Sequence, residues 1–191
     1  MLICVKGEGY MFPSLETERL ILREIEKDDA EQIFACFSNS DVTRYYGQEL
    51  FESIEQAEKL AELFKHQFNE KRGIRWGIER KDAEGIIGTV GFHAWVPKHR
   101  RAQAGYEVHP EYWRNGYAFE AVSNVLSYGF EVMKLCRIGA VVFLDNAPSH
   151  KLLTKMGFQM EGVLRGYMHQ DGMCHDTNVY SLLKENHPSL P

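Results

Sequence analysis

Tyr106-Glu-Val-His-Pro-Glu-Tyr-Trp-Arg-Asn-Gly116-Tyr-Ala118, running on through Phe-Glu-Ala-Val towards Met133, is the stretch whose reading decides the fold. It reads as a short strand ending near Val108, an irregular turn around Gly116 and a helix opening at about Tyr117. Ala118, Val122, Val125, Leu126, Gly129, Phe130 and Met133 recur at three- and four-residue steps, which is one helical face. A strand that feeds a glycine turn opening directly onto a helix leaves backbone N–H groups without partners. Together with the positive end of the helix dipole, those groups suit phosphate oxygens. The dipole alone contributes only about 0.3–1 kcal/mol at an exposed site, so affinity needs the fan of N–H bonds as well. One glycine stands where a dinucleotide fingerprint needs three, and no Gly-Lys-Ser/Thr follows as in a P-loop. Taken alone, the stretch also admits the plain reading, that Gly116 supplies a turn before an ordinary helix.

Working outward, 191 residues suffice for one compact domain with a real core. A composition 44% hydrophobic and 26% charged is that of a soluble globular chain. The net charge of −5 argues against a general nucleic-acid binder, which carries a basic face. Cys4, Cys36, Cys136 and Cys174 show no paired spacing of the zinc or redox kind, and Cys36 and Cys136 read as buried thiols. Met1–Lys6 has too short an apolar run for a signal peptide, and no segment approaches the roughly 20 apolar residues of a membrane span. The expected location is cytoplasmic.

Residues 1–14 read as a lead-in, 15–184 as one domain and 185–191 as a tail. Arg19 to Arg23 is a short strand, and Asp28 with Glu31 has the spacing of a capping box opening a helix to about Phe37. Ser53 with Gln56 repeats that signal, and the second helix is expected to stop near Arg72-Gly73. Strands follow at about Arg75–Glu79 and Ile86–Val96, then the basic loop Pro97-Lys-His-Arg-Arg101. After the central helix, Arg137–Phe143 is a nearly continuous apolar run, the mark of a strand buried on both faces. Pro148 suits the first turn of a helix reaching about Met156, and two last strands are joined at Asp171-Gly172. The order gives one mixed α/β (α+β) domain.

That order, the Trp113-Arg-Asn-Gly116-Tyr-Ala118 turn, and Asn146-x-x-Ser149-x-x-Leu152-x-x-x-x-Gly157-Phe158 together resemble the GNAT acetyltransferases. More narrowly, Leu15-x-Thr17-x-Arg19-Leu-x-Leu22-Arg23, with Arg165-Gly166, Asp171-Gly172, Asp176 and Tyr180, resembles the branch holding the bacterial ribosomal-protein N-terminal (alanine/serine) acetyltransferases. The resemblance covers about residues 15–184 and implies a mostly antiparallel, twisted sheet of about seven strands with about four helices. It further implies that Val108 and the loop Trp113, Arg114, Asn115, Gly116, Tyr117 and Ala118 hold the pantetheine and pyrophosphate of acetyl-CoA. Asn146 and Ser149 would approach the pantetheine arm from the other side. Trp113 departs from the superfamily's usual Gln or Arg, which leaves side-chain help to Arg114 or Asn115.

Acetyl transfer to an amine needs a neutral amine, close approach, oxyanion stabilisation and a proton for the departing thiolate. A backbone N–H near Val108 suits the carbonyl, and Glu107 is the candidate base, acting directly or through water; its plain alternative is a polar-side strand residue. Ser149 is the candidate acid or a hydrogen-bond donor to the thiolate, its alternative being helix capping, and the same alternative holds for Asn146. Tyr167 or Tyr180 are further candidate acids. Arg44-Tyr-Tyr-Gly47 falls where the resemblance implies part of the acceptor wall, or packs a loop. The loop Lys98–Arg101 reads first as a solvated hairpin tip and otherwise as a contact for an acidic partner or the cofactor 3′-phosphate. His169, Cys174 and His175 lack a fourth zinc-type ligand, so no metal is expected.

An α-amine ionises near 8 and a lysine near 10.4, a difference of about 3 kcal/mol in the cost of deprotonation. That favours a protein N-terminal α-amine over a lysine, though it also admits low-pKa amines on small molecules; direct transfer in a ternary complex and a monomer or homodimer are the separate expectations. A small amine such as a polyamine or aminoglycoside is the alternative. A non-catalytic acyl-CoA-binding module is the second, and a nucleic-acid binder using Lys98–Arg101 the third.

Overall fold

The computed structural model describes residues 11–187. Cys4, the Met1–Lys6 run, residues 1–10 of the lead-in and 188–191 of the tail lie outside the described residues.

Strands β1 (Leu15–Glu16), β2 (Leu20–Glu24), β3 (Ile74–Arg80), β4 (Ile86–Val96), β5 (Arg101–Val108), β6 (Arg137–Phe143), β7 (Gln159–Gln170) and β8 (Met173–Leu183) form one sheet in the order β1-β2-β3-β4-β5-β6-β8-β7. Every neighbouring pair is antiparallel except β5–β6. The helices are α1 (Ala30–Phe37), α2 (Ser40–Thr43), α3 (Ile54–Asn69), α4 (Tyr117–Glu131) and α5 (Ala147–Lys155). The fold is therefore the expected mixed α/β type, with eight strands for seven and five helices for four among the described residues. The extra elements, β1 and α2, are too short to leave a periodic signal.

The main core packs Leu20, Leu22, Trp76, Val90 and Phe92 of the sheet against Val122, Val125, Leu126 and Phe130 of α4. Side chains of this size each contribute about 1.5–3 kcal/mol when fully buried. A second core joins α1 and α3 through Ile33, Phe37, Ala57 and Ala61, with Ile25 and Ile86 beneath them. Alternation along β3, β4 and β5 sends Arg75, Thr89 and Glu107 to the face opposite Trp76 and Val90.

Three local expectations change. The capping box before α1 is Glu26–Asp29, with Glu26 N donating to Asp29 Oδ2 at 2.8 Å, because a 3-10 turn over Lys27–Asp29 precedes the helix. After α3 the left-handed residue is Lys71 (φ 56°), not Gly73. Gly73 is needed for space, since a Cβ there would sit 2.8 Å from the Phe92 carbonyl oxygen. Cys36 is buried as expected, but Cys136 is exposed. It precedes β6 beside the buried Leu135, and its backbone, not its thiol, is engaged, N–H donating to Arg100 O at 2.7 Å. The Ser53–Gln56 box is present, and Asp171 (φ 52°) and Gly172 (φ 72°) make the β7–β8 turn with both central residues left-handed.

Candidate active site

The parallel pair β5–β6 is short. Arg101, Ala102 and Gln103 lie opposite Arg137, Ile138 and Gly139, and there the pairing ends. Beyond that point the strands part, and a cavity of about 290 Å³ opens between Ala104–Tyr106 on one side and Ala140–Phe143 on the other. Asn146, Ser149 and Leu153 of the α5 region also line it, as do Tyr45, Tyr46, Phe64, Gln67, Arg75, His93 and Met168. A space of this size takes a reacting end, not a whole nucleotide-bearing molecule.

Strand geometry aims the backbone into the gap. His109 N donates to Ile87 O at 2.8 Å, so by two-residue alternation Glu107 and Gly105 bond towards β4. The N–H and C=O groups of Tyr106 and Val108 then face the side from which β6 has departed. Val108 O is taken by Trp113 Nε1 at 2.6 Å, which pins the following turn to the strand end.

The turn is built from left-handed residues at Arg114 (φ 62°) and Gly116 (φ 81°), the latter being the N-cap of α4. Asn115 Nδ2 donates to Tyr112 O at 3.3 Å and to Trp113 O at 3.1 Å, so this side chain closes the turn. Arg19 Nη1 donates to Asn115 O at 3.0 Å, and Arg19 pairs with Glu120 at 2.6 Å. No acceptor among the described residues takes the amides of residues 114–119. The Arg114 side chain is exposed, and Tyr117 and Ala118 are half-buried at the helix start. Bare amides at a helix N-terminus fit the diphosphate of a coenzyme A, so the residues present suit that ligand.

Across the gap, Asn146 caps α5, its Oδ1 accepting from Ser149 N at 3.2 Å. Asn146 is thus both a cap and a lining residue. Ser149 is not the cap; its Oγ accepts from the Tyr106 hydroxyl at 3.0 Å, which leaves its own hydrogen free to point elsewhere. Tyr106 is the tyrosine near Ser149, and Tyr167 and Tyr180 are not. Tyr180 is buried with its hydroxyl 2.9 Å from His150 Nδ1, and Tyr167 is exposed on β7. Burial raises the Tyr106 hydroxyl above its ordinary range, opposed by the bond to Ser149. Sequence spacing hid this pair, because strand and helix meet only across the gap.

Glu107 is buried and does not line the cavity. Its carboxylate accepts from the Arg75 guanidinium and the Thr89 hydroxyl, and the Tyr46 hydroxyl, itself bonded to Arg75, lies close by. Burial pushes the Glu107 carboxyl above the usual carboxylate range, with the Arg75 charge and those bonds opposing. Desolvation pulls the Arg75 guanidinium down, but the Glu107 charge, Tyr46 and the bond to Glu107 together raise it above its ordinary range, so it keeps its charge. Arg75 Nη2 also donates to Tyr46 Oη at 3.1 Å, so Tyr46 stands between the buried pair and the cavity. Tyr45 and Tyr46 accordingly serve as wall, and Tyr46 also packs edge-on to Phe37. The wall is held by Gln170, whose side chain accepts from Gly47 N at 2.9 Å and donates to Thr43 O at 3.1 Å.

Sequence reasoning missed Arg75 and His93. The available signal for Arg75 was a charge inside an apolar strand, Ile74-Arg-Trp-Gly-Ile78. The loop Lys98–Arg101 sits at the start of β5, the opposite end from Val108 and the amide turn, with Arg100 Nε donating to Lys134 O at 2.7 Å. No group of three or more His, Cys, Asp or Glu suited to a metal occurs among the described residues, and no helix there is long and apolar enough to cross a membrane.

A family model described as an acetyltransferase (GNAT) domain matches residues 19–159. The chain belongs to the GNAT acetyltransferases. A Bacillus subtilis (strain 168) relative of this family, named uncharacterized N-acetyltransferase YoaA, is 64% identical over 174 residues, covering 91% of this chain and 98% of its own. Another protein of that organism, with the provisional name ribosomal N-acetyltransferase YdaF, is 27% identical over 180 residues, covering 91% and 96%. Among solved structures, the spermidine N-acetyltransferase of Vibrio cholerae in complex with CoA and spermine has a TM-score of 0.78 at 25% identity, covering 89% of this chain and 98% of that one. This GNAT protein is an N-acetyltransferase, and acetyl-CoA is the cosubstrate of its family.

Proposed function

We propose that the enzyme acetylates the α-amine of a protein or peptide N-terminus, by direct transfer, in preference to a polyamine or aminoglycoside. The observation that carries this reading is the absence, among the described residues, of any free carboxylate from the cavity lining. A polycation entering the cavity would have to shed water without an anionic partner, which is costly. The one buried carboxylate nearby, Glu107, is committed to Arg75. An α-amine on an otherwise neutral chain end brings at most one charge and, being partly neutral near pH 8, sheds it at far lower cost than a polycation.

Acetyl-CoA supplies the acyl group as an activated thioester. In this reading the free amides of residues 114–118, with the Arg114 side chain, hold the diphosphate, the Trp113 amide being spent on Pro110 O at 3.1 Å, and the Val108 N–H polarises the thioester carbonyl. Asn146 orients the pantetheine arm from α5. Ser149 gives its hydroxyl proton to the departing thiolate and regains one from Tyr106. Glu107 takes the amine proton indirectly, Tyr46 accepting it as its own hydroxyl proton passes to the carboxylate.

Thiol release from acetyl-CoA should be measured with a peptide bearing a free N-terminus, the same peptide N-terminally blocked, and spermidine. Turnover is expected only with the free peptide. Spermidine turned over as well as the peptide would refute the acceptor assignment. Acetyl-CoA binding without turnover of any amine would leave a non-catalytic acyl-CoA-binding module.

A further inference from the structure

The acceptor half of the cavity contains a donor and an acceptor that no step above uses. Arg75 spends Nε on Thr89 Oγ1 at 2.6 Å and Nη2 on Glu107 and Tyr46, and nothing among the described residues takes its Nη1. His93 reaches the same cavity from β4, at a bulge where Ala94 is left-handed (φ 47°). Its Nε2 lies 3.2 Å from Gln103 Oε1, which assigns the ring proton to Nε2 and leaves a lone pair on Nδ1. Between them is Gly105. A Cβ on Gly105 would lie 3.0 Å from Arg75 Nη1 and 3.4 Å from His93 Nδ1, with no backbone atom among its three nearest neighbours. The bare Cα therefore keeps open a cradle with a cationic N–H donor on one side and a neutral ring acceptor on the other.

We propose that Arg75 Nη1 and His93 Nδ1, set on either side of Gly105, select an acceptor by its α-amino carbonyl unit. The amine N–H donates to Nδ1, and the carbonyl oxygen one carbon further on accepts from Nη1. Desolvation among the cavity walls, and then the Arg75 charge, push the His93 imidazole down to about 4, so the ring stays an acceptor at neutral pH. Phe64 lies against the guanidinium, 5.5 Å from its ring centre, and Glu107 and Thr89 hold it from behind, so Nη1 has one direction left to point. A plain alkylamine offers no oxygen to Nη1, and a site with an unpaired donor rejects it more strongly than an apolar pocket would. The assignment rests on the acetyltransferase reading above and narrows its substrate class.

The test compares kcat/KM for a glycine-starting tripeptide amide and for propylamine, in the wild-type chain and in Gly105→Ala and His93→Phe. Gly105 has no left-handed backbone and only side chains nearest it, and His93 belongs to neither hydrophobic core, so both variants are expected to fold. The peptide-to-propylamine ratio should fall at least about tenfold in each variant. A ratio unchanged within about twofold in both would overturn the assignment. Calorimetry of peptide binding to the protein saturated with coenzyme A gives the same comparison without turnover. If the wild type turns over neither amine, the proposed function fails. The calorimetric affinities then judge the cradle separately, a loss of peptide affinity in both variants supporting it and unchanged affinities overturning it.

Discussion

The two walls of the candidate site are made of different material, and the turn at residues 114–119 lies outside the cavity lining. The wall that follows β5 into α4 is backbone: bare amides at residues 114–119, a strand edge at Tyr106 and Val108, and side chains such as Asn115 that close the turn. The opposite wall is side chain: Tyr46, Arg75 and His93 reach one space from a loop and two strands, with Glu107 and Gln170 locking them from behind. A wall of amides depends on φ and ψ and is indifferent to most side chains. A wall of converging side chains can be altered by one substitution, and its charges cost stability unless paired. The same division suits a constant cosubstrate on one side and a selective acceptor on the other.

The largest effect should come from the buried pair. Glu107→Ala leaves the Arg75 guanidinium, 7% exposed, without its carboxylate, and removal of one partner from such a pair costs about 3–5 kcal/mol. Denaturant unfolding should show this loss, together with a collapse of acetyl transfer. A loss under about 1 kcal/mol would mean that the pair is better hydrated than its burial implies, and the contrast between the walls would weaken.

Gln170 offers a sharper cut, because it supports one wall only. Gln170→Ala strands Gly47 N and Thr43 O, two backbone groups in the acceptor loop, at a cost of about 1–3 kcal/mol. The acceptor KM should rise while the dissociation constant of acetyl-CoA, by calorimetry, stays put. Equal weakening of both ligands would show that the walls move together.

Sequence alone made one wall legible and not the other, for a physical reason. The strand, Gly116 and the apolar stripe of α4 are local, as is the three-residue spacing of Asn146 and Ser149 on one helix start, so turn chemistry and periodicity expose them. The acceptor wall exists only through register. Thr89 lies opposite Glu107 and Gly77, and Gly91 opposite both Arg75 and Gly105, pairings that depend on which residues of three strands face one another. Glu107 was visible as a carboxylate near the turn, but not that its oxygens were already taken. Tyr106 was visible in the strand, yet its partner Ser149 lies 43 residues on, across the gap.

The backbone wall should respond to conformation. Gly116→Val puts a β-branched side chain at φ 81°, where, among the described residues other than its chain neighbours, a new Cβ would meet Arg19 Nη2 at 3.4 Å. Strain, not collision, then sets the penalty, about 1–3 kcal/mol of stability. Acetyl-CoA affinity should fall with it, whereas Asn115→Ala, which removes bonds internal to the turn and no amide, should lose less. If Asn115→Ala binds more weakly than Gly116→Val, side chains rather than amides carry the grip.

The smallest expected effect tests how the backbone wall is fastened. Glu120, in the first turn of α4, accepts from Thr17 Oγ1 at 2.5 Å, Arg19 N at 2.8 Å and Arg19 Nε at 2.7 Å. Partial burial pushes its carboxyl up, but these donors and the Arg19 charge hold it below the usual range. A carboxyl depressed in the folded state stabilises above its unfolded value near 4.3, and that contribution disappears as pH falls through the folded value. Glu120→Gln should therefore lose about 1 kcal/mol at pH 7, discounted because Arg19 is half exposed, and the gap to wild type should narrow below pH 4. A gap that stays constant down to pH 3 would assign the loss to altered hydrogen bonding of a neutral side chain. The Arg19–Glu120 clamp would then hold the amide turn by shape and not by charge.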